Sequence, residues 1–264
     1  MQQDHEKFLN GQIVLIDKPL KWTSFDVVRK IQSLFRNNLS LKKIKIGHAG
    51  TLDPLATGLL VVCIGKFTKK IEEIQSKRKE YTGIITIGAT TESFDLEKEV
   101  NNEFPIINIT NEMIHSVANS FIGIQKQQSP IHSAKKIAGK RAYEYARNNQ
   151  EVVIKSSEIV IDTFDILEIS TNYSELQTKI DTEEPIKSNT INQFPFYTKG
   201  IHIKFRIVCS KGTYIRAIAR DFGLALNSGG HLSELRRTKI GEFDVANALH
   251  INELDSLIAF KQLE

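Results

Sequence analysis

The 264-residue sequence lacks several features that would assign it to a specialised class of protein. Its longest strongly apolar run, Leu59 to Ile64, has six residues, whereas a helix that spans a membrane needs about 20. The polar segment Met1 to Lys7 is not followed by the apolar stretch of a secretory signal. The two cysteines, Cys63 and Cys209, are too few for a disulfide framework and are typical of buried thiols. These absences predict a cytoplasmic protein with no membrane partner.

Motifs for cofactors are also absent. The sequence has no G-x-x-x-x-G-K-[ST] phosphate loop, no G-x-G-x-x-G dinucleotide fingerprint, and no H-x-E with P-C-x-x-C zinc-deaminase signature. No cofactor and no metal are therefore expected. The hydrophobic fraction of 41% and the charged fraction of 25% are those of an ordinary globular protein. The net charge of +4 is only mildly basic, so the distribution of basic residues says more about a partner than their number.

Hydrophobic periodicity predicts an α+β fold with a mixed, largely antiparallel sheet. The clearest strand runs from Ile201 to Ile207, where four apolar residues alternate with three polar or basic ones. Ser24 is expected to cap a helix from Phe25 to about Phe35. The irregular alternation of strands and helices is the basis of the α+β prediction. The other predicted elements are strands at 11–17, 59–64 and 81–88, helices at 110–120, 139–149 and 212–226, and polar surface insertions at 96–108 and 170–199.

A glycine-rich loop carries the clearest chemical signal in the chain. Ile46 to Leu60 reads I-G-H-A-G-T-L-D-P-L-A-T-G-L-L, and its three glycines allow backbone conformations that a Cβ atom would forbid. Pro54 has a restricted φ and favours an extended conformation at Asp53. Such a stiff loop can hold one carboxylate in a defined place, as catalysis requires. Taken alone, an aspartate before proline is more often a turn residue that bonds its own backbone.

The whole loop resembles the signature of the TruB family of transfer RNA pseudouridine synthases, in which a G-x-L-D-P-x-A-T-G-type segment carries the essential aspartate. Other segments similar to motifs of that family follow along the chain in the family's order. They are Lys79–Tyr81, Gly88–Asp95, Gln128–Pro130, Ser133–Lys136, Gly139–Tyr143, Cys209–Arg216 and His231–Thr238.

This resemblance implies a pseudouridine-synthase fold, with a central mixed, mainly antiparallel β-sheet flanked by helices. It also implies an activity: a uridine in the T-loop of tRNA, at position 55, is flipped out and isomerised to pseudouridine. The N1–C1′ bond breaks, the uracil rotates, and C5 joins C1′, so no cofactor is needed. The implied partner is the T-arm stem-loop of tRNA, and a monomer is expected.

The resemblance also implies roles for individual side chains. Asp53 is the essential carboxylate, which either attacks the sugar or drives loss of the C2′ proton to a glycal; both routes stay open. Arg216 is expected to pair with Asp53 and keep it ionised. Tyr81 and Tyr214 are expected to contact the flipped base, and Tyr81 to take part in proton transfer.

Further residues are implied to hold the RNA. His48 is expected to hold the flipped-out nucleotide, Leu235 to contact the uracil, and Asp95 to lie near the pocket. The basic clusters at 42–45, 135–147 and 204–220 favour contacts with phosphates. The residues expected to bind RNA outside the pocket are Lys135, Lys136, Lys140, Arg141 and Lys211.

The predicted organisation is a catalytic domain over 1–250, with an RNA-gripping insertion at about 125–150 and a surface insertion at about 170–199. Residues 251–264 are expected to be a short tail, without the full C-terminal RNA-binding domain that family members commonly carry. Three alternatives compete with this assignment. A glycoside hydrolase would need two positioned carboxylates, a non-catalytic RNA-binding module would not need Asp53 in a stiff loop, and a guide-RNA-dependent synthase would share the loop but carry extended basic tails.

Overall fold

The structure, a computed structural model, describes residues 6, 8–39, 43–131, 133, 136–137, 139–147, 150, 152, 154–176 and 197–259. The chain divides into two compact units. The first unit comprises Met1–Tyr81 and Leu235–Glu264, and the second comprises Thr82–Glu234. Each of the two boundaries between the units falls within a strand, so two strands contribute residues to both units.

The strands are introduced in chain order. They are β1 (Gln12–Lys18), β2 (Ile46–His48), β3 (Ala56–Ile64), β4 (Lys79–Ile87), β5 (Ala89–Thr91), β6 (Val100–Glu103), β7 (Gly123–Gln127), β8 (Lys136–Ile137), β9 (Lys140–Arg141), β10 (Ser157–Ser170), β11 (Ile201–Cys209), β12 (Gly230–Ile240), β13 (Phe243–Asp244) and β14 (Leu249–His250). The α-helices are α1 (Ser24–Leu39), α2 (Ile71–Ser76), α3 (Asn111–Ser120), α4 (Ala142–Arg147), α5 (Tyr173–Leu176), α6 (Ile215–Ala225) and α7 (Ser256–Ala259).

Strand β3 is the centre of the first unit. It runs antiparallel to β1, from Gln12 opposite Ile64 to Lys18 opposite Gly58, and antiparallel to β2. The C-terminal part of β12 lies parallel to the start of β3, and β14 lies parallel to β1. Every residue of β3 is buried, which explains why the apolar run of the sequence lacks the alternation of a half-exposed strand.

Apolar clusters form on both faces of β3. On one face, Leu60, Val62 and Ile64 belong to a buried cluster with the inner side of α1. On the other, Leu59, Val61 and Cys63 belong to a cluster that includes a residue of α2. Alternating side chains of one strand therefore anchor two separate apolar layers.

Helix α1 begins one residue earlier than the sequence predicts. Thr23, not Ser24, is the N-cap: its Oγ1 accepts a hydrogen bond from the backbone N–H of Asp26 at 3.0 Å, and its own N–H donates to the Asp26 carboxylate at 2.9 Å. This reciprocal pair is a capping box. The hydroxyl of Ser24 is buried and bonds elsewhere, as described below for the loop of Asp53.

The second unit has its own sheet and aromatic core. Strands β4, β11, β10 and β7 are neighbours in that order, and β10 is antiparallel to both β11 and β7. The rings of Phe121, Phe164 and Phe222 pack against one another with centroid separations of 5.4 to 6.1 Å. Helix α3 is capped by Thr110, whose hydroxyl accepts from the N–H of Met113 at 3.3 Å. Local capping and aromatic burial together explain how the unit is ordered.

The α+β prediction with a mixed, mainly antiparallel sheet is confirmed. The strand predicted at 201–207 is confirmed as β11. The helix predicted at 139–149 is wrong at its start, since Lys140–Arg141 is a strand and the helix begins at Ala142. The polar stretch 96–108 contains the short strand β6, which pairs with β5.

None of the helices in the described residues is both long and apolar enough to span a bilayer.

The insertion predicted at 170–199 is described only at its ends, because 177–196 lie outside the described residues. At the C-terminal end, Leu254 is buried in the cluster that packs α1 against the sheet. The segment that begins at residue 251 therefore contributes at least one residue to the core of the first unit.

Gly58 of β3 lies close to the backbone of β12, and a substitution there can test this contact. Its φ is +99°, and a Cβ atom there would lie 2.3 Å from the backbone oxygen of Arg237. We expect Gly58→Ala to lower the free energy of unfolding by more than about 3 kcal/mol, because strain and a backbone clash combine. Urea denaturation followed by circular dichroism measures this difference.

Gly50→Ala is the matched control. Gly50 also has a positive φ, of +112°, but a Cβ atom there would meet only a side-chain nitrogen of Arg237 at 3.5 Å, an ordinary contact. It should therefore cost about 1–2 kcal/mol from backbone strain alone. Equal losses in the two variants would contradict the close approach of the strands as the cause.

Candidate active site

The loop that carries Asp53 connects β2 to β3 in the first unit. Asp53 is half-buried, and its carbonyl accepts a hydrogen bond from the N–H of Ala56 at 3.1 Å. The preceding residue, Leu52, is buried and is bonded on both sides of its backbone by one hydroxyl. Ser24 Oγ accepts from the Leu52 N–H at 2.8 Å and donates to the Leu52 carbonyl at 3.2 Å. The start of α1 thus holds the chain next to Asp53.

Lys18, the last residue of β1, is fully buried beside the same loop. Its ammonium donates to the carbonyls of Trp22 at 2.6 Å, Pro19 at 3.0 Å and Pro54 at 3.5 Å. Burial lowers the pKa of Lys18 from 10.5 to about 8, while the negative charge of Asp53 opposes the shift. A cation is therefore held close enough to Asp53 for the two charges to interact.

Arg237 of β12 is a second buried cation at this loop. Its Nε donates to the carbonyl of Leu59 at 2.8 Å, and its Nη2 donates to that of Gly50 at 3.0 Å. Its Nη1 lies 3.5 Å from the carbonyl oxygen of Thr51. One planar group thus joins two loop carbonyls to one carbonyl of β3, which a single-point ammonium could not do with the same geometry.

His48 ends β2 and is half-buried, five residues before Asp53. Burial, together with the positive charge of Arg237, lowers the pKa of His48, so the ring is neutral near pH 7. A backbone hydrogen bond with Gly50 opposes this shift. A neutral ring has one donor and one acceptor nitrogen, and its tautomer decides which is which.

Two more predicted residues lie in the first unit. Leu235 is half-buried in β12, where it is directly opposite Ala56, the residue with which β3 begins. Strand register therefore brings Leu235 next to the end of the loop of Asp53. Tyr81 is buried in β4, with 8% of its surface exposed.

Arg216 and Asp95 form a buried ion pair in the second unit. Arg216 Nε lies 3.5 Å from Asp95 Oδ2, and the side chains are 5% and 7% exposed. Arg216 Nη1 also donates to the carbonyl of Ser93 at 3.1 Å. Asp95 Oδ1 accepts from Ser93 Oγ at 2.6 Å and from the N–H of Glu97 at 3.0 Å. The structure thus gives Asp95 a definite contact, whereas the predicted pair of Arg216 with Asp53 stays a prediction.

Tyr214 precedes α6 and is held through its backbone. Its N–H donates to Gln127 Oε1 at 2.8 Å, and its carbonyl accepts from Gln127 Nε2 at 3.1 Å. The amide of one glutamine at the end of β7 therefore fixes the residue that begins the helix of Arg216. The phenol ring of Tyr214 is partly exposed.

The residues predicted to bind RNA are only partly described. Lys140 and Lys211 are exposed. Lys135 lies outside the described residues, as do the side chains of Lys136 and Arg141, whose backbones pair in the β8–β9 hairpin. In the part of the chain that the structure describes, no three His, Cys, Asp or Glu side chains are grouped as metal ligands would be.

Sequence reasoning missed four residues that hold the site: Lys18, Ser24, Gln127 and Arg237. A signal existed for two of them. Lys18 is the last residue of an apolar strand. Arg236 and Arg237 are neighbours in one strand, and because successive side chains point to opposite faces of a sheet, one of the two arginines must face inward. Ser24 and Gln127 gave no such signal, because each bonds to backbone that is distant in sequence.

Comparison with known sequences reports the following relatives. The family model described as TruB family pseudouridylate synthase (N terminal domain) matches residues 36–186, and the one described as tRNA pseudouridylate synthase B C-terminal domain matches residues 216–263. The chain is 50% identical to tRNA pseudouridine synthase B of Flavobacterium johnsoniae, over 93% of this chain and 95% of that protein. It is 45% identical to tRNA pseudouridine synthase B of Parabacteroides distasonis, over 95% of this chain and 94% of that protein.

Solved structures share the fold. The chain aligns with a Cbf5-Nop10-Gar1 complex at a TM-score of 0.65 and 24% identity, over 98% of this chain and 58% of that chain. It aligns with an H/ACA RNP bound to a substrate RNA containing 2′-deoxyuridine at a TM-score of 0.62 and 23% identity, over 97% of this chain and 56% of that chain. These matches confirm the predicted pseudouridine-synthase fold. Since the N-terminal family model covers more than half of the sequence, the chain belongs to the TruB family of pseudouridylate synthases and is an isomerase.

Proposed function

We propose that the protein isomerises the T-loop uridine of tRNA, at position 55, to pseudouridine, with Asp53 as the essential carboxylate. The observation that carries the proposal is the tethering of the loop of Asp53 by Lys18, Ser24 and Arg237. A carboxylate on a loop fixed at several carbonyls is held in one geometry, which lowers the entropy lost on reaching the transition state. The tRNA substrate is supported by the name of the relatives, tRNA pseudouridine synthase B.

Each of the remaining predicted residues has a role in the proposed reaction. Asp53 either attacks C1′ of the flipped nucleotide or drives loss of the C2′ proton. In both cases N1 leaves C1′, the uracil rotates, C5 joins C1′, and the C5 proton is released. Arg216 is proposed to keep Asp53 ionised, and Tyr81 and Tyr214 to contact the base, with Tyr81 also in proton transfer. His48 is proposed to hold the nucleotide and Leu235 to contact the uracil.

Contacts with the rest of the RNA are proposed for basic residues outside the loop. They are Lys135, Lys136, Lys140, Arg141 and Lys211, which would bind phosphates of the T-arm. The cytoplasmic location, the monomeric state and the end of the catalytic domain at residue 250 stay predictions.

A glycoside hydrolase is disfavoured by the surroundings of Asp95. That reaction uses two carboxyl groups, one of which donates a proton. Asp95 was the second candidate carboxylate, but its oxygens accept from Ser93 and the N–H of Glu97 and pair with Arg216. Both oxygens of Asp95 are thus engaged within the protein, so the carboxyl group is poorly placed to protonate a leaving group.

The first test removes the charge of Asp53. With unmodified tRNA that carries tritium at uridine C5, the wild-type protein should release tritium from one T-loop uridine. Asp53→Asn keeps the size of the side chain, and we expect release to fall by at least about 10³-fold while tRNA binding is retained. Asp255→Asn, which removes an exposed carboxylate of the same unit, should leave the rate unchanged. Tritium release by Asp53→Asn at the wild-type rate would overturn the role of this residue.

The second test concerns the pH dependence. Because the pKa of Lys18 is lowered to about 8, its ammonium loses a proton as the pH rises through about 8. The neutral amine has one donor fewer for the three carbonyls. The loss of one hydrogen bond, worth about 1 kcal/mol, corresponds to about a fivefold lower rate. We therefore expect tritium release by the wild type to fall between pH 7 and pH 9.5.

Lys18→Arg is the comparison variant, since guanidinium stays protonated throughout this range. Its absolute rate should be lower because a larger group must fit a fully buried site. Its pH profile should lack the inflection near pH 8. Identical profiles for the two proteins would show that another group causes the pH dependence.

A further inference from the structure

A solvent-open cavity of about 450 Å³ lies on the first unit, outside the residues assigned above. It is lined by Lys21, Trp22, Asp26, Arg29 and Lys30, which belong to the turn after β1 and to the first turns of α1. Three of these side chains are cations and one is an acid. The acid is already engaged, because the Asp26 carboxylate accepts from the N–H and the hydroxyl of Thr23 at 2.9 and 2.5 Å. The cavity therefore favours an anionic ligand.

Lys21 connects this cavity to the loop of Asp53. Its backbone N–H donates to the carbonyl of Pro54 at 2.8 Å. Its φ is +68°, in the left-handed region, which costs a residue with a Cβ atom about 1–2 kcal/mol. Glycine would make the same turn without that cost. The strained turn at Lys21 thus lies at the cavity that its side chain lines.

Trp22 provides a fixed aromatic surface in the same cavity. It is the only tryptophan of the chain, and it packs against the apolar cluster under α1. Its carbonyl accepts the 2.6 Å hydrogen bond from the buried ammonium of Lys18, so its backbone is anchored. The guanidinium of Arg29 lies 4.4 Å from the centroid of the Phe25 ring, which is 53% exposed. An anchored aromatic ring beside several cations is the arrangement that binds single-stranded nucleic acid.

We propose that this cavity binds one nucleotide of the substrate RNA, next to the uridine that reacts at Asp53. The base packs against Trp22, and the phosphates contact Lys21, Arg29 and Lys30. The inference rests on the proposed function in that the ligand is the same RNA strand. It adds a binding site formed by the β1–α1 turn, whose residues are not those of the basic clusters at 135–147 and 204–220.

The first experiment uses the fluorescence of Trp22 to report binding in the cavity. Asp53→Asn protein, which should bind RNA without turnover, is titrated with unmodified tRNA while tryptophan emission is recorded. Binding is followed in parallel by the anisotropy of labelled tRNA. We expect the emission to be quenched with the same midpoint as the anisotropy change, because a base stacks on the only tryptophan. Inorganic polyphosphate, which has charge but no bases, should bind without comparable quenching. An anisotropy change with constant emission would overturn the proposal.

The second experiment compares cations inside and outside the cavity. Lys21→Gly removes one cation and relieves the backbone strain, so the fold should be retained. Arg29→Gln removes a second, and Arg36→Gln is its matched control, because Arg36 is exposed on the same helix but does not line the cavity. For Lys21→Gly and Arg29→Gln we expect tRNA affinity to fall about 3- to 10-fold and the slope of log K against log salt to decrease by about 0.7–0.9. Arg36→Gln should change neither.

The outcomes separate this inference from the proposed function. If the wild type releases tritium from the T-loop uridine but Arg29→Gln and Lys21→Gly bind tRNA as Arg36→Gln does, the cavity does not bind the strand and the proposed function stands. If the wild type neither binds tRNA nor releases tritium, both proposals fail.

Discussion

The guanidinium of Arg237 holds three carbonyl groups, and the position of the loop of Asp53 depends on them. Moving a cation out of water is costly, and the carbonyls of Gly50, Thr51 and Leu59 offset that cost by accepting its N–H groups. Lys18 adds a second cation that reaches the Pro54 carbonyl from β1. Two buried cations thus fix the backbone on both sides of the carboxylate of Asp53.

The buried arginine of the second unit, Arg216, has a different kind of partner. Arg216 meets a carboxylate, Asp95, as well as the carbonyl of Ser93. Removing one partner of such a pair leaves an uncompensated charge and typically costs about 3–5 kcal/mol. Two buried arginines of the same chain thus have different partners, and neither environment can be read from the residue type alone.

Local patterns predicted much of the fold and little of its supporting contacts. Alternation in β11 and the apolar run of β3 were sufficient to find those strands, because side-chain burial repeats along the chain. The loop of Asp53 was found because glycine and proline restrict the backbone within a few residues. Ser24 and Gln127 could not be found in this way, because each bonds to backbone groups that only the folded chain brings near. The predicted cap of α1 was Ser24, whereas the structure has the adjacent residue Thr23 in that position. Both side chains carry a hydroxyl group, so the sequence alone does not distinguish them.

The first unit is assembled from both ends of the sequence, which has a consequence for its synthesis. Gly50 and Arg237 are separated by 187 positions along the chain. At roughly 5–20 residues per second, a ribosome needs about 10–40 s to make the intervening stretch. During that time β3 has no neighbour in β12, and the carbonyls of the loop bond to water. We expect a nascent chain to acquire an ordered carboxylate only after β12 has been synthesised, so that a chain stalled before Arg237 would have the aspartate without the contacts that hold its loop.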